Sequence, residues 1–599
     1  MIKDLFCAAT ALLLLSSCDS SVNSSMPLSD GTVIYTAAQV ITMDNRAEAE
    51  TRPGAVAVKD GVIVAVGSRE ELQRQMPTAT LNQQFAKQTI MPGFIEPHLH
   101  PYLVGLLLQM EFITPHDWTL LDGLHPGVKT AQEYQKRLRD HEKTLAGGEI
   151  LFSWGYHPLF HGEMSRQFLD TVSSQRPIVI FHRSFHEVYL NSAAIGLLKI
   201  DTALDSHPTI DFAMGHFYET GLLAISAELM GPLMQPEPYL AALAKGRELI
   251  HRRGITTVGD GAFGSINLPL EHQLLTHSSW NHEDAPFHTY LLLDGTHLLA
   301  KHGYSDIDQV LESAQETLSG DHFTVQKRQI KLFADGAAYS QLMQMRDGYI
   351  DGHSGEWIMS PAELKLAMQH FWQRDYQLHL HVNGDAGMQQ VLDILTVLQR
   401  QKPRSDHRTT IHHLAYVRPE QMQQLANLGG MVQANPYYVW ALADTYAEHG
   451  LGAERAANMV PSASMVDAGM PLAFHSDFTM APADPLLLAW AAVTRFTAEG
   501  NVVAPAQRIS VHEALEAITL DAAVQLRRED QIGSITVGKK ANFTILDSDP
   551  YLSVSTGNGT QLKDIKIIAT VVDGKVFQLL PQTDEVDPGG SMVKVAPSD

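Results

Sequence analysis

The stretch IMPGFIEPHLHPY (90–102) ends an apolar run with two histidines either side of one leucine. Side chains alternate along a strand, so His98 and His100 share a face while Leu99 takes the other. Two neutral imidazoles projecting together make a chelating pair for zinc or a similar divalent ion. Alone the pair says little, because the chain holds 29 histidines and has a second H-x-H at His379 and His381. Other apolar runs end in further candidates. Lys331 sits in QIKLFADG, where a bare ammonium would be costly to bury. Alternation puts Lys331, Phe333 and Asp335 on one face, and spacing alone favours a salt bridge from Lys331 to Asp335 or another carboxylate. The sharper alternative is a neutral amine that has reacted with carbon dioxide, giving a carbamate anion able to bridge two metals. His412 and His413 are neighbours in TTIHHLAY, so alternation predicts that only one faces a site. Asp477 ends PLAFHSD, where a carboxylate can ligate metal and exchange protons with water. Together these residues are hard to explain as core filler.

The elements that would position them alternate along the chain. GFIEPHLH, GITTVGDG, HTYLLLD, RQIKLFADG, YQLHLHVNGD, RTTIHHLAY, GGMVQANP and MPLAFHSD read as strands separated by helical stretches. Eight such units predict an α/β fold, a (β/α)8 TIM barrel with its chemistry at the C-terminal strand ends. The barrel is expected over 93–530, with an insertion at about 102–253. A helix after the eighth strand should open with a capping box, Ser510 and Glu513. β-Rich segments at 32–92 and 531–580 carry hairpin turns at Asp60-Gly61 and Asp573-Gly574. Because a lone hairpin is marginal in water, both chain ends are expected to combine into one small β-sandwich.

Length and composition fit this reading. At 599 residues, one large and one small domain are the natural expectation. An excess of Asp and Glu (67) over Lys and Arg (43) gives a net charge of −24, which repels nucleic acid and anionic lipid. Residues 1–17 read as an export signal: Lys3 precedes an apolar run shorter than the ~20 residues needed to span a bilayer. LSSC resembles a bacterial lipobox, which makes Cys18 the lipidated first residue, followed by a flexible Ser-rich tether over 18–31. Cys7 lies inside the signal, so Cys18 would be the only cysteine after cleavage and a disulfide framework is excluded. The tail 581–599 reads as disordered. The expected location is a bacterial membrane surface facing the periplasm, with the membrane touched only through the lipid anchor.

IMPGFIEPHLH, QIKLFADG, LHVNGD, IHHLAYV and AFHSDFTMAPADPL, with SWGYHP and QRPIVIFHRSFHEVYLNSAA in the insertion, resemble the landmarks of the amidohydrolase superfamily and of its YtcJ-like branch (amidohydrolase family 3). The likeness runs from about 31 to 580. It implies that His98, His100, Lys331, His381, His413 and Asp477 hold one or two divalent ions, zinc by preference, and that Lys331 is N-carboxylated. His379 is left as an outer or structural residue. The chain departs from the pattern at Glu96, where the branch commonly has Asp, and at His412, where it usually has Glu. A third departure, Asn542 for Asp, is expected to be structural.

The function expected is hydrolysis of a non-peptide C–N bond in a small amide, N-substituted formamide or cyclic amide, with Asp477 as general base and acid. Trp154, Tyr156, His186 and Tyr437 are candidate substrate contacts. The alternatives are a non-catalytic binding or regulatory lipoprotein that keeps the barrel, and deamination of an amidine or heterocycle, against which Lys331 speaks. Self-association into a homo-oligomer is left open.

Overall fold

The computed structural model describes residues 31–44, 52–552 and 561–579. Cys18, the signal and nearly all of the tether lie outside the described residues, as does the 581–599 tail. Each of the eight apolar runs contains a strand: β1 (Phe94–Leu99), β2 (Ile255–Phe263), β3 (His288–Leu293), β4 (Gln329–Phe333), β5 (Gln377–Val382), β6 (Thr410–His413), β7 (Met431–Ala434) and β8 (Leu472–Phe474). β1, β2 and β3, with a short edge strand Phe323–Val325, form one parallel sheet. β4 to β8 form a second, also parallel and in chain order.

Parallel neighbours require a crossover. Helices Pro361–Gln373, Asp385–Gln401 and Pro419–Asn427 supply it between β4 and β7. The first opens with a Ser360–Glu363 capping box, which satisfies two orphan N–H groups reciprocally. The expected Ser510–Glu513 box opens helix Val511–Ala517. The two sheets touch at two seams. An isolated parallel bridge joins Asp294, just past β3, to Lys331 of β4. Beyond β8, the Asp477 N–H donates to the His98 carbonyl at 3.1 Å.

Strands from both chain ends share a sheet. Phe543–Leu546 pairs antiparallel with Thr89–Pro92 on one side and Ile567–Val572 on the other. A second sheet, containing Val33–Thr36, Ala55–Lys59, Val62–Gly67 and Thr80–Asn82, shares an apolar core with it through Tyr35, Val56, Ile63, Ile90, Phe543 and Val571. Both expected hairpin turns form. Asp60 and Gly61 have φ of 50° and 78°, and Asp573 and Gly574 have 48° and 79°, the left-handed pair that a two-residue hairpin loop needs. Asn542 accepts the Asp573 N–H at 2.8 Å and so holds the second turn.

The long segment between β1 and β2 builds a six-stranded sheet of its own, which includes Leu151–Tyr156, Ile178–His182 and Glu187–Leu190. No helix among the described residues is long and apolar enough to cross a membrane.

Candidate metal centre

Side chains from five of the eight strands meet at one rim. His98 Nε2 lies 3.3 Å from His100 Nε2 and 3.6 Å from Asp477 Oδ1, and His100 Nε2 lies 3.3 Å from the same oxygen. His413 Nδ1 stands 3.6 Å from Asp477 Oδ2. The His381 ring centre is 4.3 Å from that of His413. Lys331 is fully buried, and its Nζ has no hydrogen-bond partner among the described residues. The expected salt bridge from Lys331, to Asp335 or to another carboxylate, does not form among the described residues. Asp335 instead accepts the backbone N–H groups of Asn383, Gly384 and Gln344, each at 2.9 Å, and so pins the chain just after β5.

Neighbouring groups aim these donors. Asp260 Oδ1 lies 3.4 Å from His100 Nδ1; a carboxylate on that nitrogen holds its proton and leaves Nε2 as the donor atom facing the site. Glu96 accepts the N–H of His98 at 3.2 Å and that of Ser476 at 3.0 Å, tying the end of β8 to β1. Its extra methylene relative to Asp thus serves a backbone cross-link. The Asn383 side-chain amide lies 3.0 Å from His381 Nε2 and holds that ring in place. Backbone strain sits where the candidate ligands turn: His413, Leu414 and Asp477 have φ of 74°, 51° and 55°, each costing about 1–3 kcal/mol. Hydrogen bonds from Leu414 N–H to Val382 O and from Asp477 N–H to His98 O hold them there.

Gly261 of β2 shows how little room the His98 ring has. A Cβ at that position would clash with Cδ2 and Nε2 of the His98 ring. The ring cannot retreat, because His412 and His475 pack on it at centroid distances of 4.7 and 4.6 Å. Gly261→Ala is therefore expected to cost about 1–3 kcal/mol of stability and to lower bound metal. Urea denaturation and metal analysis check this, and unchanged values in both would refute it.

Charge in the site is set by burial. Burial, then neighbouring positive groups, hold the His98, His381 and His413 imidazoles well below the usual histidine range, so their lone pairs are available. Burial also lowers the Lys331 amine to about 7, against the pull of Asp477, Asp294 and Asp260. For Asp477 burial works upward, but His100, His475 and Lys331 outweigh it and bring the carboxyl to about 2.

A cavity of about 270 Å³ opens over the rim, lined by His98, His100, His381, His413 and Asp477 on one side and by insertion residues such as His186 on the other. His186 meets the Glu219 carboxylate at 2.9 Å. Trp154, Tyr156 and Tyr437 do not line this cavity, contrary to expectation. Trp154 is buried edge-on against Phe112 and under the Arg183 guanidinium. Tyr156 donates its hydroxyl to the Gly162 carbonyl at 2.6 Å, and Tyr437 packs on Trp440. Their aromatic surface is used in packing. His475 was not anticipated: fully buried, it groups with His98 and His413 as a second set of possible ligands. Its H-x-D spacing to Asp477 was the available signal. Of His412 and His413, only His413 lines the cavity. Both rings pack on His98, His413 from the cavity side and His412 from behind.

Comparison with known proteins agrees with this geometry. The model of the Amidohydrolase family matches residues 88–578. The N-substituted formamide deformylase of Arthrobacter pascens is 25% identical over 550 residues, covering 87% of this chain and 94% of that protein. The putative amidohydrolase YtcJ of Bacillus subtilis (strain 168) is 24% identical over 552 residues, covering 88% and 96%. A structure titled as an uncharacterized metal-dependent hydrolase from Pyrococcus horikoshii OT3 superposes with a TM-score of 0.65 at 20% identity, over 87% of this chain and 98% of that one, which shows a shared fold. The chain belongs to the amidohydrolase family, within its YtcJ-like branch, and is an amidohydrolase acting on carbon–nitrogen bonds.

Proposed function

We propose that the protein is a metal-dependent hydrolase that cleaves the non-peptide C–N bond of a small amide, N-substituted formamide or cyclic amide. The observation that carries this reading is the mutual approach, within 3.6 Å, of His98 Nε2, His100 Nε2 and Asp477 Oδ1 on a cavity wall. Borderline nitrogen and oxygen donors in that arrangement suit zinc. The orphaned ring nitrogens of His413 and the orphaned Lys331 Nζ, all buried, are groups that a bound cation or a carbamate would satisfy. We assign His98, His100, Lys331, His381, His413 and Asp477 to hold one or two divalent ions, with Lys331 N-carboxylated. An ion held there would supply Lewis-acid chemistry, polarising a carbonyl and lowering the pKa of water toward ~7.

Asp477 accepts the proton of the attacking water and returns it to the leaving nitrogen, since an amine anion is too poor a leaving group to depart unprotonated. His186, fixed by Glu219, contacts the substrate from the insertion side. We read the two parallel sheets as one (β/α)8 barrel over 93–530 and the terminal sheets as a β-sandwich, the whole exported and lipid-anchored at Cys18.

Hydrolysis of a panel of N-acyl, N-formyl and cyclic amides by zinc-replete protein, with amine release measured, tests the function. The likeness to N-substituted formamide deformylase places N-formyl amines in that panel. Release from at least one class is expected. Release from none, by protein that holds metal, would shift the reading to a binding or regulatory role.

A further inference from the structure

Behind His98 runs a line of imidazoles that the proposed reaction does not use. His98 Nδ1 lies 2.6 Å from His412 Nδ1, His412 Nε2 lies 2.9 Å from His379 Nδ1, and His379 Nε2 lies 3.0 Å from Gln329 Oε1. All four side chains are buried. At these separations each contact is a hydrogen bond with one proton between its two atoms. Among the described residues no carboxylate lies within hydrogen-bond distance of His379 or His412, whose ring nitrogens are all used within the line. A buried imidazolium without an anionic partner is costly, so each ring is neutral and carries a single N–H.

The direction of the line then follows from its far end. An amide oxygen only accepts, so His379 carries its hydrogen on Nε2 and accepts at Nδ1. His412 must donate from Nε2 and accept at Nδ1. His98 therefore donates from Nδ1, and its Nε2 is left as a bare lone pair facing His100 Nε2 and Asp477 Oδ1. If Gln329 presented its amino group instead, every proton would move across and His98 would point an N–H into the site. We propose that Gln329, acting through His379 and His412, is a positioning residue that fixes the tautomer of His98 and so makes its Nε2 a cation ligand. His100 obtains the same tautomer directly from the Asp260 carboxylate. His98 obtains it from a neutral amide two rings away, without adding negative charge beneath the site.

The inference rests on the reading of His98 as a metal ligand, and its test separates the two. Zinc affinity of the full chain is measured by chelator competition, with thermal unfolding of the metal-free variants to confirm that they fold. Gln329→Leu, which keeps the bulk and removes the acceptor, is expected to weaken zinc binding about 10- to 100-fold. Gln329→Glu keeps an acceptor and should bind close to wild type, which a merely structural role would not ensure. In a His412→Glu background the carboxylate accepts from His98 directly, so adding Gln329→Leu should cost nothing further. Equal zinc affinity of wild type and Gln329→Leu would overturn the relay. Absence of zinc binding by the wild type would overturn the metal-centre reading instead. Neutron diffraction from metal-free crystals decides the relay in either case: hydrogen on His412 Nε2 supports it, and hydrogen on His412 Nδ1 overturns it.

Discussion

Asp477→Asn is expected to lower kcat by about 10³- to 10⁴-fold while the bound divalent ion stays in place. The carboxylate is close to isosteric with the amide, and its contacts are shared among His98, His100 and His413, so the side chain can keep its place. An amide oxygen can still ligate, but it cannot take a proton from water and hand it on to a departing nitrogen. The left-handed backbone of Asp477 (φ 55°) also suits Asn, one of the few residue types that tolerate that region. Fold and metal content should therefore survive where turnover does not. Steady-state hydrolysis and metal analysis of the same preparation decide it, and wild-type turnover by the variant would end the assignment.

Lys331→Ala should be comparably damaging, with activity down about 10³-fold or more, beyond the 10- to 100-fold typical of an outer-sphere partner. The amine is enclosed, lacks a hydrogen-bond partner among the described residues and is brought down to about 7 by burial. A large share is therefore unprotonated near neutral pH and able to add carbon dioxide. Two measurements separate a carbamate from a plain ammonium. Wild-type protein grown with ¹³C-bicarbonate should show a carbamate carbon signal, and a short carboxylic acid such as propionate should restore part of the activity of Lys331→Ala. An active, metal-replete Lys331→Ala enzyme that ignores added carboxylate would sink the assignment.

The sequence showed more of the framework than of the site. The eight apolar runs bounded by polar and glycine residues were legible as strands because burial on both faces of a parallel sheet leaves such runs. The two Asp-Gly turns were legible because few residue pairs accept left-handed backbone twice in succession. Within the site, alternation served His98 and His100 well, since both belong to one regular run into β1's end. It also held at His412 and His413, of which only His413 lines the cavity. Aromatic type alone could not tell which side of Leu151–Tyr156 faces a cavity, so Trp154 and Tyr156 were misplaced. Asp260 and Gln329 were invisible as helpers, because their importance comes from pairing across strands 160 and 50 residues away from their partners.

The pairing of Phe543–Leu546 with Thr89–Pro92 also sets a timetable for biogenesis. The amide of Phe94, first residue of β1, donates to the Thr544 hydroxyl 450 positions downstream. At the ~5–20 residues per second of ribosomal synthesis, that partner arrives roughly 20 to 90 s later. The Thr89–Pro92 strand therefore waits for this partner through most of translation, one edge open to wrong partners of the kind that recruit chaperones. Final closure is an event of the finished polypeptide, and a premature stop before Phe543 would leave a sticky edge in place of a smaller working enzyme.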